Sequence, residues 1–489
     1  MIIGLLIIAN ATKTKITMFK ILLSTIFFLF ISFLAAAQTK LSLKEAIKIG
    51  IENNIDVAQS ELQMQKADIN YKQSKAYMLP NLNASANHGI NQGRSIDPFT
   101  NSFINQNVNY ANYGVSSSLL LFNGSSLQNQ IKTNKLGFEA SKMELQQSKD
   151  NLTINIILTF LTVLSAEENL QQSIEQQAVS DSQVNRLSIL NQTGAIAPSE
   201  YYDLKGQLAA DEINIVNNKA AVETAKLNLS QLLNIPYNKN LAVEKLPETN
   251  FNTIYENTSE KIYATALQQF AQIKSVELRT KSATKNIRAI KGQLFPTLSL
   301  DGNAYTNYSS VASQDFFVNS IEAPSQDYVV VNGSKTPVIT QQNNFVTKKI
   351  TFGNQLNNNF FTTFNLSLSI PLFNASQVRN KIKMAKIELK NSELIEQNSK
   401  LELQQEIERA YVNLVSSTEK YKLLLGQVAS FQESFNAAEI KFNSGAITSV
   451  DYLIAKNNLD KAKSNLITAK YDINLREKIL DYYQGKENW

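Results

Sequence analysis

The residues able to do chemistry are few, and their spacing is poor for it. The chain has no Cys and a single His, His88. One imidazole cannot form a His-based metal site, and a general base needs a partner to orient it. Without Cys there are no disulfides, thiolate metal sites, cysteine nucleophiles or N-terminal lipid anchor. The sequence holds no HExxH, GxSxG, Walker A or GxGxxG motif. Glu402, Glu406 and Glu408 read as a solvated helix face. No catalytic residue, metal site or cofactor is expected. What remains is charge placed at turns. In Gly445-Ala446-Ile447-Thr448-Ser449-Val450-Asp451 the carboxylate falls in the first turn of the helix that follows. Glu200 takes the equivalent place after Gly194-Ala195-Ile196. An acidic side chain there is favoured by the helix dipole and can cap free N–H groups.

The 489 residues carry 47 Lys and Arg against 42 Asp and Glu. Three of the lysines, Lys13, Lys15 and Lys20, lie in a segment expected to be removed, which leaves 44 against 42. A nucleic-acid binder needs a clustered basic face, so nucleic acid is not an expected partner. Lys20, the apolar run Ile21 to Leu34 and Ala35-Ala36-Ala37 form the three parts of a cleavable signal peptide over residues 1–37. That run is too short for a spanning helix, which needs about 20 residues. Met18 offers a cleaner start than Met1. Residues 38–489 then form one elongated unit.

Two copies of one design make up that unit. Leu121-Phe122-Asn123-Gly124-Ser125 returns as Leu372-Phe373-Asn374-Ala375-Ser376, 251 residues later. Gly194, Glu200 and Tyr201 return at the same offset as Gly445, Asp451 and Tyr452. Leu79-Pro80-Asn81-Leu82 returns as Phe295-Pro296-Thr297-Leu298, 216 residues later. The difference of 35 residues is an insertion in the second copy, expected as a surface loop over Tyr308 to Asn358. Repeat 1 spans about 41–236 and repeat 2 about 255–485, with strand pairs at about 82–122 and 297–373 set between helices. Each half reads as helix, strand, loop, strand, long helix, tight turn, helix.

The long helices carry a 3.5-residue period. Leu403, Ile407, Ala410, Leu414, Ser417, Tyr421, Leu424, Val428, Phe431, Phe435, Ala438 and Phe442 are spaced by alternating fours and threes, the seam of a coiled coil. The seam resumes at Tyr452, Ala455 and Leu459, and the first half keeps it at Leu152, Ile156, Val163 and Leu204. Ser376 to Asn443 holds no Pro and one Gly. An unbroken helix of that length would run roughly 100 Å.

Phe360, Thr362, Phe364, Leu366, Leu368 and Ile370 alternate with Phe361, Thr363, Asn365, Ser367 and Ser369. One apolar and one small polar face over about ten residues is the signature of a transmembrane β-strand. His88, beside the first strand, reads as solvated or lumen-facing. Four strands cannot close a barrel, and open edges in lipid cost several kcal/mol per group. Two, three or four copies would give eight, twelve or sixteen strands, and the arithmetic does not choose among them.

This ensemble resembles the TolC family of outer-membrane efflux and secretion channels over about Leu41 to Gln484. It rests on Leu79-Pro80 and Phe295-Pro296 entering the strands, Leu-Phe-Asn leaving them, and the two Gly-containing turns. The resemblance implies a mainly α fold. Long coiled-coil helices would form a periplasmic α-barrel, and four strands per chain would join a twelve-stranded β-barrel in a homotrimer in the outer membrane of a Gram-negative bacterium. It implies a passive exit duct of a tripartite efflux pump or type I secretion system. Expected partners are outer-membrane lipid, a periplasmic adaptor (membrane fusion) protein and an inner-membrane RND, ABC or similar transporter. The alternative is a structural or adhesive outer-membrane protein whose helical rod conducts nothing. The resemblance places Gly194, Ala195, Ile196, Gly445, Ala446 and Ile447 at adaptor-facing helix tips and the inserted segment outside the cell. It makes Asp451, Ile454 and Glu200 candidates for the pore entrance and turns Phe360, Phe364, Leu366, Leu368 and Ile370 to lipid. The family pattern has a second aspartate where Ile454 stands and an Arg where Ile447 stands, so Asp451 would give a ring of three carboxylates instead of six.

Overall fold

The computed structural model describes residues 40–96, 101–247 and 255–486. The expected signal peptide lies outside them. The first half runs α1 (Leu43–Asn53), α2 (Ile55–Ala76), β1 (Asn83–Asn91), β2 (Arg94–Ile96), β3 (Phe103–Asn105), β4 (Val108–Asn123), α3 (Ser126–Gln192) and α4 (Pro198–Leu232). The second runs α5 (Ser259–Gln269), α6 (Ala271–Gly292), β5 (Thr297–Ser309), β6 (Ser313–Val331), β7 (Ser334–Lys349), α7 (Phe352–Asn358), β8 (Phe361–Ser369), α8 (Gln377–Asn443) and α9 (Ser449–Tyr483). The offsets read from sequence hold at every helix end. A shift of 216 carries α1 and α2 onto α5 and α6, and a shift of 251 carries α3 and α4 onto α8 and α9.

Two expectations need correction. The opening helix of each half is a pair of helices. In the first half Asn54 breaks it, because its side-chain oxygen accepts from the N–H groups of Asp56 (2.9 Å) and Val57 (3.2 Å) and so starts α2. The 35-residue insertion is not a loop. It folds as the antiparallel hairpin β6–β7 followed by α7. Asn332 and Gly333 join its strands, both with positive φ (53° and 81°), as a two-residue primed turn requires.

The chain divides into two compact units. Of the described residues, the helical unit takes 40–64, 140–247, 255–277 and 395–486. Two of its cores are copies of each other. In one, Ala46, Val57, Ile156, Phe160 and Leu229 seat the α1–α2 junction on the first coiled coil. In the other, Ile262, Ile273, Ile407, Leu414 and Leu480 do the same for α5 and α6. The seam residues are the ones that vanish from water: Ile156, Leu204, Ile407, Tyr452 and Leu480 are fully buried. Each such side chain gains about 1.5–3 kcal/mol from burial, which is why the heptad pattern governs the packing.

The sheet unit takes residues 65–139 and 278–394. Its main sheet has the antiparallel order β1-β4-β5-β8. Aromatic rings cover glycines across strands: a Cβ on Gly114 would meet the Tyr305 ring at 2.8 Å, and one on Gly302 would meet Phe364 at 3.3 Å. Among the described residues the outer edges of β1 and β8 have no partner strand.

Candidate pore entrance and barrel sheet

The helical unit ends its long hairpins in two turns of matching backbone. Gly194 and Gly445 take left-handed φ values of 72° and 75°. The N–H of Ala195 donates to Leu190 O at 2.9 Å, and that of Ala446 to Lys441 O at 2.8 Å. A glycine in that conformation closes a helix end without a Cβ penalty. Gly194, Ala195, Gly445 and Ala446 are exposed. Ile196 and Ile447 are half-buried and pack on the core beneath the turns.

The next helices start differently. Thr448 caps α9 in a reciprocal box. Its hydroxyl accepts from Asp451 N–H (3.3 Å), and Asp451 Oδ2 accepts from Thr448 N–H (3.4 Å) and hydroxyl (2.9 Å). Asp451 is therefore a capping residue that keeps its charge exposed. In the first half Ala197 has no capping oxygen, and Pro198 supplies the helical φ instead. The expected equivalence of Glu200 and Asp451 as caps holds for position and not for bonding. Ile454 is 56% and Val450 55% exposed, and four-residue spacing puts them on one helix face.

Beneath the turns the two hairpins are joined. Tyr452 lies fully buried, stacked on Phe442 with ring centroids 4.8 Å apart, against Leu187, Leu204 and Leu459. Burial raises its phenol above the usual range, and among the described residues its hydroxyl finds no hydrogen-bond partner. Arg186 donates to Asn443 O (2.9 Å) and to the Asn443 side chain, and Ser449 donates to Asp203 (2.8 Å). Deeper, Lys456 and Asp211, with side chains 2% and 3% exposed, pair at 2.9 Å. Lys456 also meets Asp460 at 2.7 Å, while Ser180 and Gln207 donate to Asp211. Burial outweighs the neighbouring Lys456 and lifts the Asp460 carboxyl above the usual carboxylate range. Sequence reasoning missed this cluster, since a lysine beside a seam reads as a solvated one.

The register of the main sheet sorts its side chains by face. Ala84 pairs with Val115, Val115 with Ala304, Leu119 with Leu300, and Leu300 with Leu366. This face is open to solvent in the single chain: Phe364, Leu366 and Leu368 are 80%, 65% and 62% exposed. Phe360 and Ile370, expected within the strand, flank it by one residue at either end. His88 is exposed, in keeping with the solvated reading, and not on the polar face. It sits in β1 opposite Ala111, on the apolar side with Ala84 and Ala86. The other face carries Ser116, Ser118, Asn303, Asn365 and Ser367. Asp301, the single Asp, Glu, Lys or Arg of the four strands, accepts there from Ser299 (3.2 Å) and Ser367 (3.3 Å). Among the described residues there is no helix long and apolar enough to cross a membrane and no acidic or His cluster able to hold a metal.

The chain matches the outer membrane efflux protein family over residues 46–234 and 262–485. By sequence, no curated protein matches it. In structure it is similar to the VceC outer membrane protein of Vibrio cholerae, with TM-score 0.71, 11% identity, and 90% of this chain and 96% of that one covered. It is similar to the CmeC outer membrane channel of Campylobacter jejuni at 0.70 and 17%, covering 91% and 86%. The open-state MtrE outer membrane channel of Neisseria gonorrhoeae gives 0.68 and 16%, covering 91% and 88%. At these identities the likeness is one of fold. The family match covers both repeats, and with the duplicated helical hairpins and the amphipathic four-stranded sheet it shows that this chain belongs to the outer membrane efflux protein family, the trimeric channels that carry solutes out through the outer membrane.

Proposed function

We propose that three copies of this chain close a twelve-stranded barrel and serve as the passive exit duct of a tripartite efflux pump or a type I secretion system. The observation that carries this reading is the four-stranded sheet, with one exposed apolar face and two free edges. Such a sheet is stable in lipid only when its edges are paired. Phe364, Leu366 and Leu368, flanked by Phe360 and Ile370, then meet lipid, while Asp301 and the Asn and Ser side chains line water. The β6–β7 hairpin would stand beyond the strands on the outer side.

In this reading the helix turns form the inner end of the duct. Asp451 makes a ring of three carboxylates beside the apolar pair Val450 and Ile454, with Glu200 nearby in sequence register. Acidic rings favour cations. The exposed turn residues Gly194, Ala195, Gly445 and Ala446, over Ile196 and Ile447, are candidate contacts for a periplasmic adaptor, which would connect the duct to an inner-membrane RND, ABC or similar transporter. Native mass spectrometry in detergent should report three chains per particle. A monomer would overturn the proposal.

A further inference from the structure

The internal repeat predicts the joint between neighbouring copies. Within the chain the repeat holds at the level of residue pairs. Shifting β1 by 216 and β4 by 251 turns Asn83↔Ser116 into Ser299↔Ser367 and Asn87↔Asn112 into Asn303↔Thr363, both observed pairs of β5 with β8. Bonds at the helix ends follow the same shift: Met78 N–H to Lys75 O and Leu79 N–H to Ala76 O return as Leu294 to Lys291 and Phe295 to Gly292. The pairing of β4 with β5 links one repeat to the next inside the chain. Its repeat-equivalent is β8 with β1, and both of those strands present free outer edges.

We infer that β8 pairs antiparallel with β1 of a second copy in the register fixed by β4–β5, so that Ser367 lies opposite Asn87, Ser369 opposite Ser85, and Leu366 opposite His88. This rests on the oligomeric barrel proposed above and adds its register. The transferred pairs are Ser116↔Asn303, Ser118↔Asp301 and Val115↔Ala304. The transferred register keeps the two faces of the sheet in order. It sets Leu366 and Leu368 beside His88 and Ala86, all on the apolar face, and Ser367 and Ser369 beside Asn87 and Ser85 on the polar face. A one-residue slip would mix the faces. It also gives His88 a setting, at the joint between copies against a leucine. One feature differs between the two joints. Gly124 and Gly292 approach so closely that a Cβ on Gly124 would lie 2.3 Å from Gly292 O. Their repeat-equivalents, Ala375 and Ala76, both carry a Cβ, so the backbones cross farther apart between copies.

The natural absence of Cys makes the register testable by cross-linking. The N–H of Ser310 donates to Asn109 O at 2.8 Å, so apolar-face pairs of β4–β5 are the hydrogen-bonded ones and polar-face pairs have Cα atoms about 4.5 Å apart. That distance suits a disulfide, whereas a two-residue slip opens it to about 8 Å, beyond bridging. On mild oxidation the variant with Ser367→Cys and Asn87→Cys should run as covalent trimers that a thiol returns to monomers. Ser367→Cys with Ser85→Cys, and Ser369→Cys with Asn87→Cys, should stay monomeric on the denaturing gel. Cross-linking of a slipped pair in place of the first overturns the register and leaves the trimer standing. No cross-link in any pair, with native mass spectrometry of the single-Cys variants still giving trimers, also overturns the register. Monomers in that measurement overturn the oligomeric barrel itself.

Discussion

The two halves of the chain build helices of identical bounds and yet treat the same position in opposite ways. Lys205 and Lys456 are repeat-equivalents. Lys205 is exposed, with its ammonium 5.9 Å from the centre of the Tyr201 ring. Lys456 is buried against Asp211 and Asp460. Their neighbours Tyr201 and Tyr452 divide in the same way, one half-buried and the other fully buried on Phe442. The turns continue the contrast: Ala197-Pro198 starts α4 without a side-chain cap, while Thr448 and Asp451 start α9 with two. The repeat therefore keeps the backbone, while the polar contacts at equivalent positions differ between the two hairpins. The half that carries the cap is also the half that presents a bonded carboxylate at its tip.

The largest test of this contrast is at the lysines. Lys456→Ala strands Asp211 in the core and should cost about 3–5 kcal/mol of stability, read by denaturant unfolding in detergent. Adding Asp211→Asn should return part of that loss, because it removes the stranded charge. Lys205→Ala should leave the midpoint nearly unmoved. Equal effects at both lysines would erase the distinction between the halves.

The sheet offers the next largest effect. Leu366→Arg should cost about 2–4 kcal/mol if the site lies near the bilayer midplane, measured by refolding into lipid. Asn365→Arg, one residue away on the polar face, should cost far less. A penalty as large at Asn365 would show that the faces have been assigned the wrong way round.

A smaller effect is expected at the cap. Thr448→Ala should lose about 1 kcal/mol, whereas Pro198→Ala in the uncapped turn should act only through local backbone freedom. Smaller still in stability is Asp451→Asn, which keeps most of the capping oxygen and removes the charge. In planar bilayers it should weaken cation preference. If preference is unchanged while Asp451→Ala lowers the melting temperature, the residue is a cap alone.

Much of this was legible in the sequence for physical reasons. A coiled-coil seam repeats over many turns, so Leu403, Ile407 and Tyr452 declare themselves. Strict alternation from Phe361 to Ser369 declares a two-faced strand. The duplication supplied a second reading of each element. The hairpin β6–β7 was hidden behind its Asn and Ser residues and its two prolines, Pro324 and Pro337, which read as loop, although Asn332-Gly333 between Val331 and Ser334 is a strong turn signal that could have found it. The burial of Lys456 was not legible, because its partner Asp211 lies 245 residues away and only the fold brings them together. The exposed carboxylate of Asp451 was visible, but its bond to Thr448 competes with a pore role in any reading of sequence alone.

The central claim is that this chain forms an open-ended conduit by oligomerising. The most direct measurement is single-channel recording from the purified protein in planar bilayers, using material shown by native mass spectrometry to hold three chains. Discrete conductance steps that favour cations are expected. Trimers that insert into the bilayer and pass no current would contradict it.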